Sequence, residues 1–398
     1  MKVRDLLADR AGHECSFPTC QRRTIGPGAG SQEVSGSGIA AHIYAASPNG
    51  PRGQSGLSVK ELAGLENGIW LCSDHAKLVD NNRGRGYSPE TLLSFKALQE
   101  GRVALEVQGL YSPLGWIHEV AIIKTPLFRP NQKIPFAKLN LIYGDNATGK
   151  TALTEWVAGF FDCTAMKRWM GTGDETGPLQ VQLSMLNPKP HRIGLEVALD
   201  AVSYSVEGRS VAFVPIGLRI IRLSAIKYNI YEDDLTSLSK ALSLPTHIVR
   251  NLAQEIQMFP HAKVSNIKFS PSDEGQVYLH CDVSGTAQNL GIGALSGREV
   301  ERVYLEFATA AARLSGRYSP TLLILDGCPS IIFDSFFDFY SHHLLDPENQ
   351  FQTILTIPTQ KLDLDSLPWK GWQVIRTTGE TPNVSISPTI RGHDNLGQ

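Results

Sequence analysis

The stretch LNLIYGDNATGKT, residues 139–151, constrains the fold of this chain more than any other. An apolar run that reads as a strand stops at Gly144. Gly144-x4-Gly149-Lys150-Thr151 then leads into TALTEWVAGFFD, which reads as a helix. A glycine-rich turn between a strand and a helix N-terminus aims several backbone N–H groups at one spot, and that spot suits phosphate. Lys150 is expected to reach the β- and γ-phosphates of a nucleotide, and Thr151 to ligate Mg2+. Such a unit needs a sheet around it, so most of the chain is expected to be α/β, and 398 residues leave room for a second domain.

That second domain is expected at the N-terminus. Helical spacing runs through SPETLLSFKALQEGRVALEVQ, with Ser88 as N-cap and Pro89 in the first turn, which divides the chain into residues 1–108 and 109–398. Residues 26–38 and 46–58, rich in Gly and Ser, are expected to be loops, with GIAAHIYA between them as a short strand. The N-terminal unit also carries Cys15-x4-Cys20 and, much later, Cys72-x2-His75. Three thiolates and one imidazole make a complete tetrahedral set for structural Zn2+. A small unit so rich in loop buries little apolar surface, and zinc supplies the stability that burial does not. Cysteines used this way point to a reducing, cytoplasmic setting rather than a disulfide framework.

A net charge of −2 gives no global attraction to nucleic acid. Contact with DNA must then be local, with Arg52 and Lys77 as phosphate-contacting candidates and Arg83 and Arg85 at a turn nearby. No apolar run approaches the roughly 20 residues that cross a bilayer, and MKVRDLLADRAGHE lacks the apolar core of a signal peptide. A membrane partner is therefore not expected. The polar tail after residue 380 is expected to fray.

Three segments, ECSFPTC, AAHIYAASPNGPR and ENGIWLCSDHAKLVDNN, together resemble the zinc-stapled branch of the HNH (ββα-metal) endonuclease family. The resemblance implies that His42 is the general base that activates water and that Asn67 braces the loop. It also implies that the helix after the second zinc pair carries a ligand for a catalytic Mg2+ or Mn2+. Two usual ligand positions are Ala41 and Ala76 here, which leaves Asp80, one helical turn beyond Ala76. The other reading of His42 is a core histidine bonded to backbone. The other reading of the whole unit is a zinc DNA- or protein-binding module without catalysis.

Farther along, the strands before the glycine loop, GIGALSGREVERVYLEFATAAARL and SPTLLILDGCPSIIFD resemble the ABC ATPase heads of the RecF, SMC and Rad50 group. The resemblance implies a signature motif at residues 295–299, whose Ser296 and Gly297 contact ATP held by a second subunit, and hence a homo-oligomer. It implies a Walker B strand at 322–326 with Asp326 on Mg-ATP, and nucleotide contacts from Asn146 and Arg129. Gln180 or Gln182 would supply a Q-loop. The glutamate that follows Asp326 in that group is Gly327, and its switch histidine falls at Ile357 and Pro358, with Glu299 or Asp334 as possible substitutes. No sustained heptad pattern lies between residues 151 and 290, so no long coiled coil is expected. Joined, the two resemblances imply an ATP-binding DNA endonuclease with slow or no ATP turnover. That is similar to Septu-type anti-phage systems, which place the two parts on separate chains. The alternative is an ATP-dependent adaptor or DNA-repair ATPase with an inactive zinc module.

Overall fold

The computed structural model describes residues 2–18, 20, 22–107, 115–171, 179–187, 189–198, 201–215, 217–224, 226, 229, 231–272, 275–285, 287–328, 335–346, 349–358, 364 and 367–388. Asp334 and the end of the polar tail, residues 389–398, lie outside them.

The chain opens with α1 (Val3–Arg10), a hairpin of β1 (Ile25–Pro27) and β2 (Val34–Gly36), and β3 (Gly38–His42). The hairpin falls inside a stretch whose composition predicts loop alone. Glu33 closes its turn, since its carboxylate accepts the Gly30 N–H and its carbonyl accepts the Gly28 N–H. Closure by one side chain needs no apolar alternation, so the pattern gives no sign of it. Next come α2 (Val59–Leu62), started by a Ser58–Glu61 capping box, then β4 (Gly68–Cys72) and α3 (Ser73–Asp80). β3 and β4 pair antiparallel with His42 opposite Gly68, and α3 follows at once, giving a ββα order. α4 (Pro89–Val107) begins where its sequence predicts, with the Ser88 hydroxyl accepting the Thr91 N–H. Ile43, Ile69, Leu71, Val79, Leu92 and Phe95 form the core of this part, and Leu186 from much later in the chain joins it.

Beyond α4 come β5 (Trp116–Lys124), β6 (Gln132–Pro135), β7 (Leu139–Gly144), α5 (Lys150–Gly159), β8 (Leu179–Asn187), β9 (Lys189–Ala198), β10 (Ala201–Val206) and β11 (Arg209–Val211). All of these strands except β7 build an antiparallel sheet in the order β11-β10-β9-β8-β5-β6. The chain continues through β12 (Arg219–Ser224), α6 (Asp234–Leu242), α7 (Thr246–Met258), and a small antiparallel sheet of β13 (Val264–Pro271), β14 (Val277–Val283) and β15 (Ala287–Gly291). It ends with α8 (Gly297–Gly316), β16 (Thr321–Asp326), α9 (Ser335–Leu345), β17 (Gln352–Pro358), β18 (Trp372–Thr378) and β19 (Ser385–Pro388). A second six-stranded sheet has the order β12-β16-β17-β7-β18-β19 and is parallel except at β19.

α5 lies between the two sheets. Its Leu153, Trp156 and Val157 share one core with Val181, Leu183 and Leu195 of the antiparallel sheet and with Ile142, Ile324 and Ile354 of the parallel one. The alternate residues Leu141, Leu323 and Leu355 face the other way, onto Leu238, Leu252 and Phe307 of α6, α7 and α8. Covered on both faces, β16 is buried at every position, which is why its sequence, TLLILD, shows no polar alternation. The fold is mixed α/β, as the sequence predicts. The longest described helix, α8, has 20 residues, so no long coiled coil occurs among the described residues. No described helix is long and apolar enough to cross a membrane.

Gly144 ends β7 directly opposite Thr377 of β18. A Cβ there would sit 2.1 Å from Thr377 Oγ1 and 2.4 Å from its carbonyl oxygen, both on a neighbouring strand with no room to move. Gly144→Ala is expected to destabilise the protein by about 1–3 kcal/mol, seen by scanning calorimetry as a lower melting temperature. An unchanged melting temperature would show that the strands do not approach this closely.

Candidate nucleotide cleft and zinc centre

The parallel register brings three strand ends to one edge: Asp326 of β16 pairs with Thr356 of β17, and Pro358 of β17 with Gly144 of β7. A cleft of about 480 Å3 opens there, within the range of small-molecule sites. Asn146, Gly149, Lys150 and Thr151 line one side, and Asp326, Gly327 and Thr356 the other. Thr151 Oγ1 donates to Asp326 Oδ1 at 3.2 Å and Thr356 Oγ1 donates to the same oxygen at 2.6 Å. Lys150 Nζ donates to the Gly144 and Asp145 carbonyls at 2.9 and 2.7 Å, arched back over its own loop. Burial lowers its pKa, opposed by the nearby Asp326 and Asp145 carboxylates. Gly149 makes the turn into α5 with φ 76°, and Phe128 packs so closely beneath it that a Cβ would come within 2.7 Å of the ring.

Some expected residues stand elsewhere. Arg129 is exposed and does not line the cleft; its backbone N–H donates to the Val384 carbonyl. Gln180 and Gln182 line a separate hollow on the antiparallel sheet, where Gln180 donates to Glu196 at 3.0 Å. The strand end beside Asp326 is instead that of β12, whose exposed Ser224 is in register with it. Ser296 and Gly297 start α8, exposed and outside the cleft lining. Glu299 caps that helix, accepting the Ser296 N–H at 2.7 Å, so its carboxylate is committed to the helix start. Sequence reading missed Thr356 and Arg168. Thr356 left a signal, a polar residue near the end of a buried apolar strand. Arg168 lines the cleft from beyond α5 and pairs with Glu155 at 2.6 Å, with no motif to mark it.

In the N-terminal part, Cys15, Cys20, Cys72 and His75 bring their ligand atoms within 4.8 Å of one another. Cys20 Sγ and Cys72 Sγ are 3.9 Å apart, Cys72 Sγ and His75 Nδ1 3.2 Å, and Cys15 Sγ and His75 Nδ1 3.7 Å. A tetrahedral zinc with Zn–S bonds of about 2.3 Å has S···S edges of about 3.8 Å, so this set fits zinc. Burial pushes the Cys15 thiol up to about 12, with Cys20 and Cys72 adding to the rise. A divalent cation would allow three thiolates to sit together there. Phe17 stacks on the His75 ring at 4.0 Å and fixes its orientation.

His42 is exposed at the end of β3, while its neighbour Ala41 and, on α3, Ala76 pack into the core. Asn67 is buried and holds the next loop: its Oδ1 accepts the Tyr44 N–H at 2.8 Å, and its Nδ2 donates to the Tyr44 and Leu62 carbonyls. Arg52 differs from the expected phosphate contact. Its side chain is 4% exposed and donates to the carbonyls of His42, Ile43 and Val79 and, at 2.6 Å, to Asp80 Oδ1. A guanidinium with four of its five donors spent on three carbonyls and a carboxylate is an internal clamp. It brings Asp80 beside the backbone of His42. Lys77, Arg83 and Arg85 are exposed.

No protein-family profile and no curated protein matches the chain. Among solved structures it is similar to the SMC head bound to the C-winged helix domain of ScpA, at 14% identity and a TM-score of 0.47, covering 68% of this chain and 97% of that one. The SMC head domain from Thermotoga maritima gives 14%, 0.43, 69% and 99%, and the ATP-bound recombination mediator RecF 12%, 0.42, 69% and 98%. These are distant similarities of chain trace. Purified protein is expected to carry a single zinc ion per chain by atomic absorption, and Cys72→Ser to lose it. Full zinc content in that variant would contradict the assignment.

Proposed function

We propose that this chain binds Mg-ATP with slow or no turnover and that nucleotide binding governs an N-terminal HNH-type endonuclease acting on DNA. The observation that carries the nucleotide half is the meeting of Lys150, Thr151 and Asp326 at one cleft, from segments 175 residues apart. Slow turnover is supported by what surrounds the cleft. Among the described residues lining it, Asp326 is the one carboxylate, and Gly327 offers only a backbone N–H, already donated to Thr356 Oγ1. Among these described lining residues, no second carboxylate stands ready to orient an attacking water. The exposed Ser296 and Gly297 support contact with ATP on a second copy, as the ABC resemblance implies. A part in anti-phage defence, in the cytoplasm, rests on the Septu resemblance alone.

The nuclease half is supported by the exposed His42, the loop braced by Asn67, and Asp80 held beside them. A single carboxylate shared with Arg52 makes a thin metal site, one that DNA phosphate would help complete. The same Arg52–Asp80 pair favours a second reading, in which the zinc module binds DNA or protein without cutting it.

Lys150→Ala is expected to weaken ATP binding about 100-fold or more, and the wild type to turn over ATP more slowly than about one per second. Calorimetric titration and a phosphate-release assay check both. On supercoiled plasmid with Mg2+ or Mn2+, with and without ATP, His42→Ala is expected to lose nicking about 100-fold while zinc content is unchanged. A wild type that binds DNA but never nicks it would leave the second reading standing.

A further inference from the structure

Behind Asp326 stands a cation with no part in the P-loop motif. Arg222 lies on β12, in register with Ile324 of β16, two residues before the strand end that meets Asp326. Its Nη2 is 3.5 Å from Asp326 Oδ2 and 3.6 Å from Glu155 Oε1. Asp326 is therefore held from both sides, by Thr151 and Thr356 on Oδ1 and by Arg222 on Oδ2. Glu155 does not simply cancel this charge, because its other oxygen, Oε2, already takes Arg168 Nε at 2.6 Å and Trp169 Nε1 at 3.0 Å. The Nε of Arg222 is buried and has no hydrogen-bond partner among the described residues, so the guanidinium retains unused donor capacity. At 27% exposure the side chain is partly withdrawn from water, where a charge acts more strongly than at the surface.

We infer that Arg222 is a built-in counter-charge for the triphosphate, so that the cleft binds ATP with little dependence on Mg2+. This rests on the reading of the cleft as a nucleotide site. Two effects act in the same direction. A fixed guanidinium beside Asp326 attracts the metal-free, more highly charged form of ATP. It also competes with Mg2+ for the Asp326 carboxylate and repels the ion, so the metal adds less here than at a site whose aspartate is free. Among the described residues lining the cleft, Asp326 is the one carboxylate, and Glu155, the other partner of Arg222, is shared with Arg168. A site built this way holds nucleotide without assembling the metal-centred arrangement that hydrolysis needs.

The probe is mant-ATP, titrated against the full chain in EDTA and in Mg2+. Wild-type affinity in EDTA is expected within about threefold of that in Mg2+, and Arg222→Gln is expected to worsen that ratio by about tenfold. Arg222→Lys, which keeps a charge at the same strand position, retains binding in EDTA and covers the case in which Arg222→Gln does not fold. Wild-type binding that needs Mg2+, or equal weakening of Arg222→Gln in both conditions, overturns the inference and leaves the nucleotide site standing. Absence of binding in either condition overturns the nucleotide reading and this inference together.

Discussion

The Thr356 hydroxyl, 2.6 Å from Asp326 Oδ1, marks the contact through which three parallel strands set the geometry of the cleft. β17 lies between the strand that carries Asp326 and the strand that carries the P-loop, so the two halves of the site never touch through backbone pairing. Their relative height is fixed by register: Asp326 beside Thr356, Thr356 beside Ile142, Pro358 beside Gly144. A slip of one residue would turn each strand's side chains to the opposite face and separate Thr151 from Asp326. Two buried amides oppose any slip from the other end of the sheet. Gln352 bonds the Ile117 and Ala137 backbone, and Asn140 bonds Ala137 and Thr353. An unpaired buried amide costs about 1–3 kcal/mol, so both strands are pinned where they enter the sheet.

The N-terminal part is held by two clamps of different chemistry. The Cys15, Cys20, Cys72 and His75 set ties the start of the chain to the junction of β4 and α3. Arg52 ties the end of β3 to the end of α3 from beneath, which makes Asp80 a neighbour of His42 at the cost of a free carboxylate. α4 meets the parallel sheet at its entry end, where Ser94 Oγ accepts the Lys138 N–H at 2.9 Å. The cleft opens at Gly144, the far end of β7, and a strand of that length spans about 20 Å. A nucleotide held in the cleft would thus be out of direct contact with α4.

What the sequence reveals of this arrangement follows how local each feature is. The P-loop is contiguous, and the zinc ligands come as two close pairs, so spacing alone exposes both. Asp326 is visible because a fully buried parallel strand reads as an unbroken apolar run ending in an acid. Arg222 is invisible to spacing, because only the strand order places it near Glu155 and Asp326, and Arg168 because the segment after α5 folds back onto that helix. Gln180 and Gln182 stand at a separate hollow for a reason spacing does not show either: β8 belongs to the antiparallel sheet. Glu299 is a different case, since Ser296-x-x-Glu299 is a capping-box pattern and its role in starting α8 could be read from spacing. From sequence, Arg52 reads as a surface cation because a charged residue in a Gly–Pro loop usually is one. Its φ of 63° and the four groups waiting for it beneath the loop depend on tertiary structure.

The claim at the centre of this account is that one edge of the parallel sheet cradles a nucleotide. Amide hydrogen exchange of the full chain, with and without Mg-ATP, tests it by location. Backbone N–H groups that hold phosphate exchange slowly, so the account predicts ATP-dependent protection of peptides covering residues 144–151, 326–327 and 356–358. Saturating ATP that leaves those three segments unprotected, or protects only segments elsewhere, would contradict it.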